Sequence, residues 1–162
     1  MAGRGETEQS YHPVGFDVTG LVQDEFEAAF FDRLAAPVVD EVRLPARPES
    51  AAEARRLTRS VLGLWGLAAQ MEVAELLVGE LVTNAVQHTG GRTVGVRLAR
   101  RPGWLRVEVR DPSRALPCLI RAEPDADTGR GLVLVDALSE RWGADLLSRG
   151  KGVWFELRVR EP

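Results

Sequence analysis

The chain has 162 residues, 44% of them hydrophobic and 28% charged, a composition typical of a globular protein with one core. This length excludes a multidomain motor, a polymerase or a sensor that carries its own membrane spans. The formal net charge of -3 lacks the basic surplus that phosphate backbones favour, which argues against nucleic acid as a ligand. No run approaches the roughly 18 apolar residues of a spanning helix, and the N-terminus has no apolar signal segment, so we expect no membrane contact and a cytoplasmic protein.

Several residue types occur once. Cys118 is the only cysteine, which excludes an intrachain disulfide, and His12 and His88 lack the spacing of zinc ligands. Asn84 is the only asparagine and Lys151 the only lysine. The preference for arginine is typical of codon bias in a GC-rich genome, and a residue type used once draws attention to its position.

The N-terminal residues differ in composition from the rest of the chain. Residues 1–20 mix glycine, proline and polar residues without an apolar period, which predicts a mobile arm. Phe26, Phe30 and Leu34 then lie near helical spacing and predict a short amphipathic helix that ends before Pro37. This helix either docks a partner or packs on the domain. We therefore expect an arm and helix over 1–37 and one domain over 38–162.

A strand and a helix open the domain. Apolar and charged residues alternate from Val38 to Leu44, which is typical of a strand. Ser50 and Glu53 have the spacing of a capping box and predict a helix from about Ala51 to Leu64.

A longer helix is predicted from about Gln70 to His88, ending before two glycines. Its expected apolar face consists of Val73, Leu76, Leu77, Leu81 and Val82. Alternating valines and leucines on both sides of an RRPG turn then predict a hairpin that ends at Asp111.

The segment 111–129 contains three prolines and no sustained period, which is typical of a functional loop. A third helix is expected from Gly131, with Leu132, Val135, Leu138 and Trp142 as its buried stripe. A final hairpin carries Lys151, which we expect to be a surface charge. The order βααββαββ predicts a two-layer α/β sandwich, with a mixed and mostly antiparallel sheet and helices on one face.

Three segments carry residues suited to chemistry. Glu80, Asn84 and His88 are spaced by four and form one row on a helix, where a carboxylate can accept a proton and an amide oxygen can bind Mg²⁺. Such a row is also typical of a solvated helix face. Asp111 ends a strand, where it either accepts a hydrogen bond from an exocyclic amine or begins an Asx turn.

The third segment, DTGRGL, is a glycine-containing start of a helix, a place that binds anions such as phosphate. Gly129 and Gly131 allow close backbone approach, as would a loop that needs positive φ. The chain has no GxxxxGK[ST] sequence, which excludes a Walker-type site.

The segments ELVTNAVQHT, VEVRDPS and TGRGLVLVDALSERWG, in this order, resemble the N, G1 and G2 boxes of the GHKL superfamily. The compact form is similar to RsbW-like anti-sigma factor serine kinases and to short ATP-binding regulators of Streptomyces. The resemblance covers about 42–160 and implies the Bergerat-type, histidine kinase-like ATPase fold.

By position, the resemblance implies that Glu80 is the catalytic base, Asn84 the Mg²⁺ ligand and Asp111 the contact to the adenine amine. It places Gly129, Arg130, Gly131 and Leu132 on the phosphate side and makes the proline-containing loop an ATP lid. Two positions depart from the family pattern: Ser113 replaces a glycine, and Gly152 stands where a threonine often helps Asp111 hold the adenine.

The resemblance implies an ATP- and Mg²⁺-dependent serine/threonine kinase that phosphorylates a STAS-type anti-anti-sigma protein and competes with a sigma factor, as a homodimer. The alternative is a non-catalytic module that binds ATP and sequesters a protein partner. A domain whose nucleotide pocket has decayed is a third hypothesis. A sensor histidine kinase is a poor fit, because such an enzyme needs a dimerising helix with an acceptor histidine, and His12 lies in the predicted arm.

Overall fold

The computed structural model describes residues 38–88, 93–112 and 130–160. Their elements are β1 (Val38–Pro45), α1 (Ser50–Leu64), α2 (Ala68–His88), β2 (Thr93–Arg101), β3 (Trp104–Asp111), α3 (Arg130–Leu138), β4 (Arg141–Leu146) and β5 (Lys151–Arg158). The order βααββαββ is confirmed. The predicted arm and first helix, and most of the proline-containing loop, lie outside the described residues.

The five strands form one sheet in the order β1-β2-β3-β5-β4. Each neighbouring pair in the described part of the chain is antiparallel, which confirms the predicted α/β sandwich with a mostly antiparallel sheet; no described pair is parallel, so the described sheet is not mixed. The physical reason is the insertion of β5: β4 runs in the same direction as β3, but β5 pairs with both and separates them. This arrangement places the start of β5 beside the end of β3.

One face of the sheet forms the core with the helices. The strands contribute alternate residues that are buried, such as Val107, Val109 and Phe155. Helix α2 contacts the sheet and both other helices, so its buried residues come from a wide arc. Leu76 is predicted to be buried but is 42% exposed. The side of the helix that is buried at this level carries Ala74, Leu77 and Val78 instead.

The other face of the sheet carries stacked and paired charges. The guanidinium of Arg106 lies 4.0 Å from the centroid of Trp154, and that of Arg141 lies 4.0 Å from the centroid of Trp104. Glu108 is only 7% exposed there and forms ion pairs with Arg106 and Arg110. The chemistry expected of Asp111 therefore belongs to the opposite face, which the helices cover.

Two local predictions are wrong. The capping box does not form: Ser50 donates to the Pro45 carbonyl at the end of β1, and Glu53 pairs with Arg47 at 2.8 Å. A hydroxyl that is buried satisfies the strand's carbonyl rather than the helix's N–H groups. In the third helix, Leu132 and Val135 are buried as predicted, whereas Leu138 is 43% exposed. Trp142 lies on β4, because the helix ends before it.

Candidate functional site

The sheet and helices bring three chain segments to one end of the molecule. Gly95 pairs with Arg110, so the start of β2 lies beside the end of β3. Helix α2 ends at His88 and reaches β2 through residues 89–92 alone. Asn84, in the last turns of α2, therefore belongs to the same end of the sandwich as Asp111. Helix α3 begins at this end too, because Gly131 in its first turn lies against Asn84.

The first turn of α3 lies against the polar row of α2. A Cβ placed on Gly131 would stand 2.9 Å from Asn84 Nδ2 and 3.2 Å from Glu80 Oε2. Glu80 and Asn84 are half-buried, whereas His88, the third member of the row, is exposed. The solvated-face alternative fails for Glu80 and Asn84, because both face a neighbouring helix.

The absence of a side chain at Gly131 lets the start of α3 lie in direct contact with side chains of α2. The first N–H groups of an α-helix have no partner within the helix and carry partial positive charge. At this start they lie next to the amide of Asn84 and the carboxylate of Glu80. The arrangement combines anion-binding N–H groups, an amide oxygen suited to Mg²⁺ and a carboxylate suited to accepting a proton.

Asp111 occupies the last position of the core-facing row of β3. It follows Val107 and Val109 on that face and is 5% exposed. Its cross-strand partner is Lys151, whose Nζ lies 3.7 Å from Asp111 Oδ2. Lys151 is 6% exposed, so the prediction of a surface charge is wrong. The sequence missed this because only the register between β3 and β5 places the two residues together.

The register also corrects the expectation for Gly152. This residue pairs with Arg110, and a Cβ on it would stand 2.6 Å from Glu108 Oε1. Glu108 lies on the outer face of the sheet, opposite to Asp111. The residue directly across from Asp111 is therefore Lys151, and position 152 points away from the expected adenine contact.

The turn before β5 holds the end of β3 in place. Gly150 has φ +89, and a Cβ on it would overlap the carbonyl oxygen of Asp111 and lie 2.7 Å from the Cα of Pro112. A side chain cannot fit between these two backbones. Glycine at this position therefore allows β5 to approach Asp111 closely.

Of the remaining residues predicted on the phosphate side, some lie within the described part of the chain and others do not. Leu132 is 4% exposed and belongs to the hydrophobic core, where it anchors the start of α3. Arg130 is the first residue of that helix. Gly129, Ser113 and the expected lid lie outside the described residues.

A separate surface cavity of about 760 Å³ lies at the other end of α2. Its described lining includes Ala68, Gln70 and Arg158 and none of the residues of the candidate site. Ala68 is about 24 Å from Asn84 along the axis of α2, from the rise of an α-helix. This cavity is therefore distinct from the site at Asn84 and Asp111.

Within 38–88, 93–112 and 130–160, no three His, Cys, Asp or Glu side chains form a group that could hold a metal ion. Among the helices of these same ranges, none has the length and apolar character required to cross a bilayer.

Comparison with known proteins shows the family to which this chain belongs. The histidine kinase-like ATPase domain family matches residues 44–157, which include the whole of the described site. The chain belongs to this family. An uncharacterized protein of Streptomyces coelicolor is 39% identical over 70 residues, which are 41% of this chain and 67% of that protein.

A solved structure is also similar to this histidine kinase-like ATPase domain. The histidine kinase domain from the Erythrobacter litoralis EL346 blue-light activated histidine kinase is 24% identical and has a TM-score of 0.43. The match covers 70% of this chain and 61% of that one, so this ATPase domain spans less than two thirds of the solved chain.

Membership in the histidine kinase-like ATPase family supports ATP, typically with Mg²⁺, as the ligand of this site, and a kinase, ATPase or regulatory role. The residues fit such a ligand. The start of α3 offers helix N–H groups beside Asn84, Asn84 offers a hard oxygen, and Asp111 offers a carboxylate at the core-facing end of β3.

Proposed function

We propose that this chain is an ATP-dependent serine/threonine protein kinase of the anti-sigma factor type. It binds Mg-ATP between α2 and the start of α3 and transfers the γ-phosphoryl group to a STAS-type anti-anti-sigma protein. The observation that carries the proposal is the contact of Gly131 with Asn84 and Glu80. The family match supports ATP, and the resemblance to RsbW-like kinases supports the partner.

Each residue has a distinct role in binding. The side-chain oxygen of Asn84 would hold Mg²⁺, which when bound neutralises phosphate charge. The N–H groups at the start of α3 donate to phosphate oxygens. Asp111 accepts a hydrogen bond from the exocyclic amine of the base. Gly129 and the loop before α3 would complete the phosphate side, and the chain, as a cytoplasmic regulator, would act on another protein.

The transfer itself requires positioning and one proton acceptor. A bond forms between the acceptor hydroxyl oxygen and the γ-phosphorus, the bond from that phosphorus to the β,γ-bridging oxygen breaks, and ADP leaves. The hydroxyl proton passes to the carboxylate of Glu80. Glu80 is suited to this role because it lies beside the phosphate-binding helix start and is half-buried.

The test uses the purified protein, a STAS protein from the same genome and Mg-ATP labelled at the γ-phosphate. Replacing Glu80→Gln keeps the shape and removes the base, so the labelling rate should fall by about 10² to 10⁴ while ATP still binds. Glu72→Gln removes an exposed carboxylate of the same helix and should label as the wild type does.

Labelling that is equal in the Glu80→Gln variant and the wild type would contradict the assigned base. ATP binding by the wild type without labelling of any STAS protein would instead support the non-catalytic module, which holds nucleotide and sequesters its partner. A protein whose thermal stability does not respond to ATP or ADP would show that the pocket has decayed, because a ligand at 100 times its Kd adds about 2.7 kcal/mol.

A further inference from the structure

The only lysine of the chain is buried beside the carboxylate expected to contact the base. Lys151 is 6% exposed and Asp111 is 5% exposed, and the two residues are direct cross-strand partners. Lysine and aspartate are almost never fully buried unless they are paired, because removal of a charge from water is costly. Because burial of this pair is costly, we consider which function Lys151 has besides that of a surface charge.

The pair ends the core-facing rows of two neighbouring strands. The next core-facing residue on β3 is Val109 and the next on β5 is Val153, and these two are themselves paired and buried. Beyond Asp111 the chain enters the segment before α3. The pair therefore lies at the edge of the buried apolar surface of the sheet, on the side that α2 and α3 cover.

At this edge the two side chains offer a hydrogen-bond acceptor beside a donor. The carboxylate of Asp111 accepts, and the ammonium of Lys151 donates up to three hydrogen bonds, so that it can contact Asp111 and a ligand together. Adenine presents the complementary order on one edge, with the N6 amine as donor beside the ring nitrogen N1 as acceptor.

We infer that Lys151 is a second base-contacting residue of the nucleotide site and donates to N1 of adenine, while the N6 amine donates to Asp111. The inference rests on the proposed binding of ATP. It assigns to Lys151 the direct contact that the sequence pattern leads one to expect from position 152, which faces Glu108 on the opposite side of the sheet.

The experiment measures the affinity of the full chain for ATP, 1-deaza-ATP and 7-deaza-ATP by calorimetry. The two analogues each replace one ring nitrogen by C–H, at N1 or at N7, so 7-deaza-ATP is a matched control for 1-deaza-ATP. The wild type should bind 1-deaza-ATP about 10-fold more weakly than ATP, since a hydrogen bond from a charged donor is lost. It should bind 7-deaza-ATP as it binds ATP.

The variant Lys151→Met removes the donor and keeps the length of the side chain. It should bind ATP and 1-deaza-ATP with equal affinity. Arg149→Met removes an exposed positive charge from the preceding turn and should keep the wild-type preference for ATP. If Lys151→Met does not fold, the comparison of the two analogues on the wild type decides alone.

The outcomes separate this inference from the proposed function. Equal binding of ATP and 1-deaza-ATP by the wild type would overturn the role of Lys151 and leave ATP binding intact; Lys151 would then only neutralise Asp111. Failure of the wild type to bind ATP at all would overturn both.

Discussion

Gly131 lies directly against Asn84, so close that a Cβ on the glycine would stand 2.9 Å from Asn84 Nδ2. Two strands and a long connecting segment separate these residues along the chain. Their contact joins the polar row of α2 to the first turn of α3. It is the feature of the fold that makes a phosphate-binding function physically reasonable.

The replacement Gly131→Ala should impair nucleotide binding without unfolding the protein. The added methyl group displaces the ends of the Asn84 and Glu80 side chains, which can rotate, and it also stands 3.3 Å from the Glu80 Cβ, so the two helices must separate slightly. Loss of one or two aligned hydrogen bonds should weaken ATP binding about 10-fold. Gly63→Ala is the control, because a Cβ at this helical position meets nothing within 4 Å. Equal ATP affinity of Gly131→Ala and the wild type would show that the close contact of Gly131 with α2 is not needed for nucleotide binding.

Removal of the Asn84 amide should affect binding only when metal is present. Asn84→Ala should lower the affinity for Mg-ATP by about 10-fold or more and leave the affinity for ATP in EDTA near that of the wild type, since the side chain is assigned to the metal. Titration of ATP with and without Mg²⁺ measures the difference. Gln87→Ala, which removes an exposed amide from the same helix, is the control. Similar losses in both buffers would argue against metal binding by Asn84.

The backbone at the end of β3 should not tolerate a side chain at position 150. Gly103 and Gly150 both have positive φ, but a Cβ on Gly103 meets nothing within 4 Å, whereas one on Gly150 overlaps Asp111 and Pro112. Gly103→Ala should cost only the backbone strain, roughly 1–2 kcal/mol. Gly150→Ala should cost more and should also weaken ATP binding, because Asp111 must shift. Chemical unfolding of the two variants gives the comparison, and equal losses would contradict the proposed close approach.

The helix pair α1 and α2 is joined by an ion pair whose effect depends on pH. Arg59 donates to both carboxylate oxygens of Glu75, at 2.7 and 2.8 Å, and this hydrogen bonding lowers the pKa of Glu75. A lowered pKa in the folded state stabilises the protein above the unfolded pKa, and this stabilisation is lost as pH falls through the folded pKa.

Glu75→Gln should therefore lower Tm modestly at neutral pH, since the pair is solvent-screened. The difference from the wild type should shrink as pH falls below about 4.3, where free glutamate titrates, and through the lower pKa of Glu75 in the folded protein. Thermal melts of both proteins across this range, with Glu72→Gln as a control for the loss of one charge, measure it. A difference that grew on acidification would have the wrong sign for this pair.

The elements could be predicted because each carries a local pattern. The periods of two residues in the strands and of three or four in the helices gave the order βααββαββ, and the glycines marked the ends. Where tertiary packing decides whether a residue is buried or which hydrogen bond it forms, the prediction from the sequence was wrong. Leu76 matches the helical period but lies outside the buried arc, and Ser50 matches an N-cap but donates to Pro45. A buried hydroxyl satisfies whichever polar group the tertiary structure places beside it.

The candidate site shows the same division. Asn84, Asp111 and Gly131 can be selected from the sequence, because three motifs in order carry chemistry that each motif alone does not specify. Lys151 could not be selected, since a single lysine in a hairpin is normally a solvated charge. Cross-strand register decides which side chains meet, and a shift of one residue turns each of them to the other face of the sheet. Residue type and periodicity therefore determined the elements and the chemistry available, while the pairing of β5 with β3 and the contact of α3 with α2 decided which groups stand together.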